Sequence, residues 1–579
     1  MPNSERTGQR AAQNGLDADS RLKVDAMVEE YEMALRRKLN LKAEGSLEEL
    51  EQKTLTFRKR TLANELRDLS QTTSDIRAEE KKMIGVNFWA SLGITFAVVI
   101  LSVLAGDRLE RGADVVSAFI THNLNWFYVL VTTAMLLFLL YLAFGRFGKV
   151  VLGDPGRRPE FSNLSWYSML FSAGMGVGIL FYGSAEPMSH YLNPPLQEAR
   201  SLAAARGAVA FSVFHWGLHA WAIYTVCAAA VAYYGFRKRK KYLISSSLLD
   251  VARTKGTRRS IKGFADLVST LAVIFGVSAS LGLGILQISS GLDHVFHTNT
   301  ANIWGYLIII TLLTVTFMIS SSTGLDKGIK ILSNVNMLVA VLLLLFVFAV
   351  GPTLFDLKLF VDSLGIYLQH IPEYSFKVEP FRQQYENWMG DWTLNYFTWW
   401  IAWAPFVGIF IARISRGRTL RELILGCLLI PTVFGIFWFS VFGGTALNLE
   451  VIQGVPIGET MTRDPAIGTF LLLEQLPLDQ ITSVITILLI FTFLVTSADS
   501  ATFVISMMTS QGDLDPPIRI KLVWGLSLSI VSLILVAGGG MAALQASTLI
   551  FAFPFAIVLI VMAFSLHMRL SVQLKTERL

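Results

Sequence analysis

The chain has 579 residues, of which 53% are hydrophobic and only 16% charged, and its mean hydropathy is +0.52. A soluble protein carries about a quarter charged residues, so most of this sequence must be solvated by something other than water. A formal net charge of +6 is small for the size and reads as membrane topology rather than nucleic-acid binding. Cys227 and Cys427 both sit in apolar runs, which excludes a disulfide framework or a cysteine-built metal site.

Residues 1–85 differ from the rest. Charge crowds there, Val24, Met27, Val28, Tyr31 and Leu35 recur at helical spacing, and Ser46 with Glu49 forms a capping-box signature. The segment is expected to be a cytoplasmic, helical or partly disordered extension, and without an apolar h-region it predicts no cleavable signal. Twelve apolar stretches follow that are long enough to cross ~30 Å of hydrocarbon. They lie at roughly 87–105, 125–145, 164–185, 209–235, 264–290, 303–322, 332–351, 392–412, 423–446, 468–498, 520–538 and 545–567. Three basic loops, Arg146 to Arg158, Arg237 to Arg259 and Arg413 to Arg421, fall on one face of such a bundle if the N-terminus is cytoplasmic. Residues 353–391 form the longest outer loop, with a surface helix expected around Leu357–His370, and 568–579 read as a short cytoplasmic tail.

Three spans carry features that lipid-facing helices do not need. In the third, Gly174-Met175-Gly176-Val177-Gly178 weakens the helix by about 1 kcal/mol per glycine relative to alanine. Such a pattern serves either close helix packing or unwound backbone lining a cavity, where carbonyls face a cation and amides an anionic group. The second feature is aromatic. Trp388, Trp392, Trp399, Trp400 and Trp403 hold five of the 13 tryptophans, four of them on one helical face, and Trp216, Trp221 and Tyr224 share an arc of the fourth span. An interfacial belt accounts for Trp388 and Trp392, but Trp399, Trp400 and Trp403 lie toward mid-span. Inward-facing π surfaces suit a trimethylammonium group, which has no hydrogen-bond donor. The third feature is Thr496-Ser497-Ala498-Asp499-Ser500 in the tenth span. It offers hard oxygen ligands for an alkali cation and an intramembrane carboxylate that either works or caps and pairs. A rival reading takes His215 and His219, spaced i, i+4, as half of a membrane metalloenzyme site, but the other six histidines form no second pair of this kind.

Four words in order resemble the betaine/carnitine/choline transporter (BCCT) family, in particular its sodium-coupled glycine betaine members. They are the glycine motif with Phe181-Tyr182-Gly183 and Ala185-Glu186-Pro187, then Phe214-His215-Trp216-Gly217-Leu218-His219-Ala220-Trp221. Trp399-Trp400-Ile401-Ala402-Trp403-Ala404-Pro405-Phe406-Val407-Gly408 continuing to Ala412-Arg413-Ile414-Ser415-Arg416-Gly417-Arg418, and Thr496-Ser497-Ala498-Asp499-Ser500, complete the set. The resemblance implies an all-α membrane protein of twelve transmembrane helices. Two extra helices (86–150) would precede a LeuT-like five-plus-five inverted repeat (160–567, with halves about 160–352 and 390–567), often in a homotrimer. By position, the substrate site falls on Trp216, Trp221, Tyr224, Trp399, Trp400 and Trp403 with Gly174, Met175, Gly176 and Gly178. A sodium site falls on the carbonyls of Ser172, Met175 and Phe493 with the hydroxyls of Thr496 and Ser497.

Departures shape the expected substrate. Val273 and Val277 stand where a second sodium site would need threonines, and Gly178 stands where proton-coupled choline members carry an acid. That favours a zwitterion over a bare cation. Asn395 replaces a common bulky aromatic, which brings ectoine or proline into play, and the long basic C-terminal helix of stress-sensing members is not expected. The resulting expectation is not an enzyme. It is a secondary carrier in the bacterial inner membrane, both termini cytoplasmic, that imports a compatible solute such as glycine betaine with sodium as coupling ion and no other cofactor. A sodium-independent carnitine-type exchanger is the alternative, and a transporter-like sensor signalling through residues 1–85 is a further one.

Overall fold

In the computed structural model, residue 55 and residues 84–576 are described, apart from 106, 155, 175, 252, 253 and 323–325. The extension read over 1–85 therefore lies almost wholly outside the described residues. Every named element in the described part is helical, and two residues alone, Val151 and Thr419, pair as an isolated antiparallel bridge. Among the described residues, nine helices are long and apolar enough to cross a membrane.

The helices α1 (Val86–Ala105) and α2 (Asp107–Phe144) come first. The third apolar stretch is split into α3 (Asn163–Gly174) and α4 (Gly178–Leu192), and Gly176 in the gap has φ +45°. The fourth is also split, into α5 (Leu202–Trp216) and α6 (Leu218–Ala232), at Gly217. The amide of Leu218, left without a helical partner there, donates to the hydroxyl of Tyr367 at 3.2 Å. Then follow α7 (Lys255–Phe296), α8 (Ile303–Ser322), α9 (Asp326–Val350), α10 (Thr353–Tyr374), α11 (Gln383–Met389), α12 (Asn395–Ile414) and α13 (Leu420–Leu447). A capping box starts α13, with Thr419 and Glu422 each bonding the other's backbone amide.

The tenth stretch, expected as 468–498, divides into a short α15 (Gly468–Glu474), preceded by α14 (Gly458–Arg463), and the long α16 (Asp479–Thr509). Leu478 in the left-handed region (φ 62°) makes the turn between α15 and α16. The last two stretches form α17 (Ile518–Thr576), kinked at Gly540. It runs through most of the segment read as a tail.

Many apolar side chains of α1, α8 and α9 are exposed, whereas α6, α12 and the 265–291 stretch of α7 are buried almost throughout. That gradient is expected of a bundle solvated by lipid outside and packed by small residues inside. α7 packs on α17 and α16, α12 on α6, and α4 on α5 and α13. Two of the basic loops meet at one end of the bundle. Leu152 and Arg418 are paired through their backbones, and Gly417 donates to Leu152. The guanidinium of Arg237, in the third, reaches the carbonyl of Gly153 at 3.1 Å. The loops grouped by charge are therefore neighbours in space.

Candidate functional site

The glycine break, α12 and α16 enclose a cavity of about 20 Å³, room for little more than one water. It is lined by Gly174, Val177, Gly178, Trp216, Val277, Ser280, Leu281, Leu283, Trp399, Trp400, Trp403, Leu494 and Ser497. Four of the six aromatic residues expected at the substrate site are thus brought together. The ring of Trp216 stands 4.9 Å from that of Trp400 and 6.1 Å from that of Trp399, both steeply inclined. Trp399 and Trp400 lie parallel at 5.0 Å, and Trp403 is perpendicular to Trp399 at 6.5 Å.

The indole N–H edges are tied down. Trp399 Nε1 donates to Ser280 Oγ at 2.8 Å, Trp400 Nε1 to the carbonyl of His215 at 2.8 Å, and Trp403 Nε1 to the carbonyl of Gly276 at 3.0 Å. Trp216 Nε1 donates to Glu186 Oε2 at 2.9 Å. A π face presented in this way attracts a desolvated cation by about 2 kcal/mol or more. The glycines make the approach possible. A Cβ on Gly174 would lie 2.4 Å from the ring of Trp221, and one on Gly178 would lie 2.6 Å from Trp216 and 3.0 Å from Trp399. Gly176 takes a backbone conformation that side chains oppose, and a Cβ built on it lies 3.8 Å from Ser497 Oγ. Of the two uses open to the glycine motif, both are realised: close packing at its ends and unwound backbone between.

Trp221 and Tyr224 stand behind this wall rather than in it. Trp221 fills the notch at Gly174, and Tyr224 packs edge-on to Trp221 at 5.7 Å and to Trp400 at 5.9 Å. Of the expected sodium ligands, Ser497 lines the cavity, and the hydroxyl of Thr496 donates to the carbonyl of Phe493 at 3.0 Å. Met175 and the side chain of Ser172 lie outside the described part. Val277 lines the cavity, whereas Val273 and Asn395 do not. Asp499 is buried and accepts from the hydroxyl of Ser320 on α8, a paired carboxylate. The His215 and His219 pair does not converge. His219 Nε2 meets Ser375 Oγ at 2.9 Å, while His215 turns to Glu186.

Glu186 lies in the Ala185-Glu186-Pro187 word, outside the residues expected at either site. It is fully buried, with both oxygens engaged. Oε2 accepts from Trp216 and from the hydroxyl of Tyr396 at 2.6 Å, and Oε1 lies 2.7 Å from His215 Nδ1 and 3.2 Å from His190 Nε2. A buried carboxyl in an apolar span was the available signal. Above this cluster a second, wider cavity of about 320 Å³ is lined by Ser189, Asn193, Pro194, Gln384, Trp388, Asp391, Trp392, Thr462 and Pro465. Trp388, Trp392, Tyr396, Trp399 and Trp403 follow one another at helical spacing from that vestibule to the inner cavity.

Known proteins are similar to this chain over most of its length. Residues 86–575 match the family model described as BCCT, betaine/carnitine/choline family transporter. The glycine betaine transporter OpuD of Bacillus subtilis (strain 168) is 44% identical over 491 residues, covering 85% of this chain and 95% of that protein. The ectoine/hydroxyectoine transporter of Virgibacillus pantothenticus is 41% identical over 486 residues, covering 84% and 96%. The glycine betaine transporter of Acinetobacter baylyi (strain ATCC 33305 / BD413 / ADP1) is 37% identical, covering 82% and 71%. The chain is therefore a multi-pass membrane transporter and not an enzyme, a member of the betaine/carnitine/choline transporter family.

Proposed function

We propose that this protein imports glycine betaine, or a closely related zwitterion, across a bacterial inner membrane by sodium-coupled alternating access. The observation that carries the reading is the cavity in which Trp216, Trp399, Trp400 and Trp403 face the glycine break. The trimethylammonium group is held against the indole faces, and the carboxylate is held by amides of the broken helix, whose α4 half begins with its positive end at the cavity. Sodium is held by Ser497, Thr496 and the carbonyl of Phe493 with the carbonyls of Ser172 and Met175, and its binding organises the unwound segment. Twelve spans in a five-plus-five inverted repeat, assembled as a homotrimer with both termini cytoplasmic, are the architecture this mechanism uses; the meeting of the basic loops supports only their placement on one face.

The free space in the cavity is far smaller than a quaternary ammonium solute, so admission requires the aromatic walls to separate. That is a gating step rather than a lock-and-key fit. Uptake of labelled glycine betaine into proteoliposomes, with and without an inward sodium gradient, is the test. Accumulation that depends on the gradient supports the reading. Rapid counterflow without any dependence on sodium supports a carnitine-type exchanger instead, and transport of ectoine or proline alone transfers the site to that substrate.

A further inference from the structure

The Glu186 cluster is more than a brace for the cavity wall. Its two oxygens meet four groups, and two of them, the indole N–H of Trp216 and the hydroxyl of Tyr396, point donors at Oε2. Two donors aimed at one oxygen favour the carboxylate against the cost of its burial, and Glu186 is taken here as that anion. An anionic Glu186 fixes both imidazoles, since His215 Nδ1 and His190 Nε2 must then carry the protons that face Oε1. His215 Nε2 is left as an acceptor and meets Thr393 Oγ1 at 3.1 Å. His190 Nδ1 is left as an acceptor too, but it is buried and has no partner among the described residues. The cluster therefore holds one net negative charge and one vacant basic lone pair.

The surroundings give that lone pair a use. The His190 ring lies 4.7 Å from Trp392 and 5.3 Å from Trp388, which line the vestibule. On the other side of Glu186 stand Trp216, a cavity wall, and Tyr396, which is nearly parallel to Trp400 at 5.9 Å. Other titratable groups are few. His215 on α5 and Tyr396 on α12 touch the same carboxylate, Tyr182 stands edge-on to Tyr396 at 5.4 Å, and Asp391 lines the vestibule. From α13, Gly443 meets Pro187 and Trp438 meets Gly183, and from α15, Gly468 meets Ala185, all without charge. Near α14 the carboxylate of Glu450 lies close to Gly458, which packs on Met188 and Leu192 a turn away, and is engaged by the amides of Ile457 and Gly458.

We propose that Glu186, His190 and His215 form a proton-binding site between the vestibule and the substrate cavity, filled when His190 Nδ1 takes a proton from water in the vestibule. Proton uptake turns the cluster from one net negative charge to none. The empty site draws a quaternary ammonium group inward past Trp392, and the filled site does not. An imidazolium at His190 is also attracted to the faces of Trp388 and Trp392, which holds the passage shut. The proposal rests on the betaine reading for its effect on the substrate, but not for proton binding itself.

The experiment follows intrinsic tryptophan fluorescence of the purified full-length protein, without and with glycine betaine, between pH 8 and pH 5. An imidazolium against an indole quenches its emission, so the substrate-free protein should lose fluorescence as pH falls. His190→Gln, which keeps a donor toward Glu186, and His190→Phe, which keeps the aromatic packing, should both abolish the loss. The affinity for glycine betaine should weaken about fivefold over the same range in the wild type, from the loss of one nearby charge, and should become flat in both variants. Asp356→Asn should follow the wild-type curve. The proposal is overturned if quenching persists unchanged in folded His190→Gln or His190→Phe, if the wild type shows none, or if the response needs zinc and vanishes with a chelator. Absence of any glycine betaine signal at every pH instead removes the substrate reading, and the quenching still decides the proton site.

Discussion

The inner cavity and the outer vestibule are both lined by tryptophans of one stretch of chain, yet they are built differently. In the inner cavity each indole N–H has an assigned acceptor: Ser280, the carbonyls of His215 and Gly276, and Glu186. In the vestibule, a space of about 320 Å³, Trp388 Nε1 is buried without a partner among the described residues, and Trp392 stacks on Tyr396. Tied edges leave rings oriented before the substrate arrives, which removes ordering cost from binding. Untied rings suit a passage that must open. Aromatic density alone does not distinguish the two; the fate of each N–H does.

That contrast can be broken by substitution, and the largest effect is expected at the box. Trp399→Leu or Trp400→Leu removes a face worth about 2 kcal/mol, so glycine betaine affinity should fall about 30-fold by fluorescence titration. Trp388→Leu should change it less than about threefold, as expected of a contact outside the anchoring centre. A comparable loss at Trp388 would erase the distinction. Next is Gly178→Ala, whose methyl would press on Trp216 and Trp399. Overpacking costs about 1–3 kcal/mol, so uptake should drop roughly tenfold or more while the protein still folds. A smaller effect is expected at the tether. Ser280→Ala strands the Trp399 N–H, and affinity should fall several-fold, in line with about 1–3 kcal/mol for an unsatisfied buried donor.

The smallest effect concerns stability, remote from both cavities. Asp356 on α10 is buried against Gly444, with one oxygen lacking a partner among the described residues, and burial pushes its carboxyl from 3.8 up to about 8. A carboxyl that holds its proton more tightly in the folded state lends stability below its unfolded value. That contribution declines as pH rises from 3.8 through about 8. Asp356→Asn should flatten the fall in melting temperature across that interval.

Much of the box was legible because its chemistry repeats locally. Trp399, Trp400 and Trp403 sit within about one helical turn, and the three glycines within five residues, so spacing singled out both stretches, and the family resemblance supplied the full set of residues. The break at Gly217 was not legible. A single glycine between Trp216 and Leu218 looks tolerable in a helix, and the group that compensates it, the Tyr367 hydroxyl, is on α10 far along the chain. The division of the tenth stretch at Leu478 escaped for a related reason, since a leucine in the left-handed region gives no compositional signal. Nor does composition separate Trp221 and Tyr224 from Trp216. All three lie on an inward arc, but the chain bends at Gly217, so Trp216 reaches the cavity and the other two buttress it. Glu186 illustrates the remaining gap. Its role depends on Trp216, His215 and Tyr396 arriving from two other helices, a convergence that no local pattern encodes.

The central claim is that indole faces in this cavity recognise the positive charge of a trimethylammonium group. Competition between glycine betaine and its uncharged-head isostere 3,3-dimethylbutanoate, which has the same shape with carbon in place of nitrogen, tests it directly. The account predicts that excess unlabelled glycine betaine abolishes labelled uptake, while the isostere at the same concentration leaves it nearly unchanged. Equal competition by the isostere would show that shape and apolar contact, not charge, govern recognition, and would contradict the account.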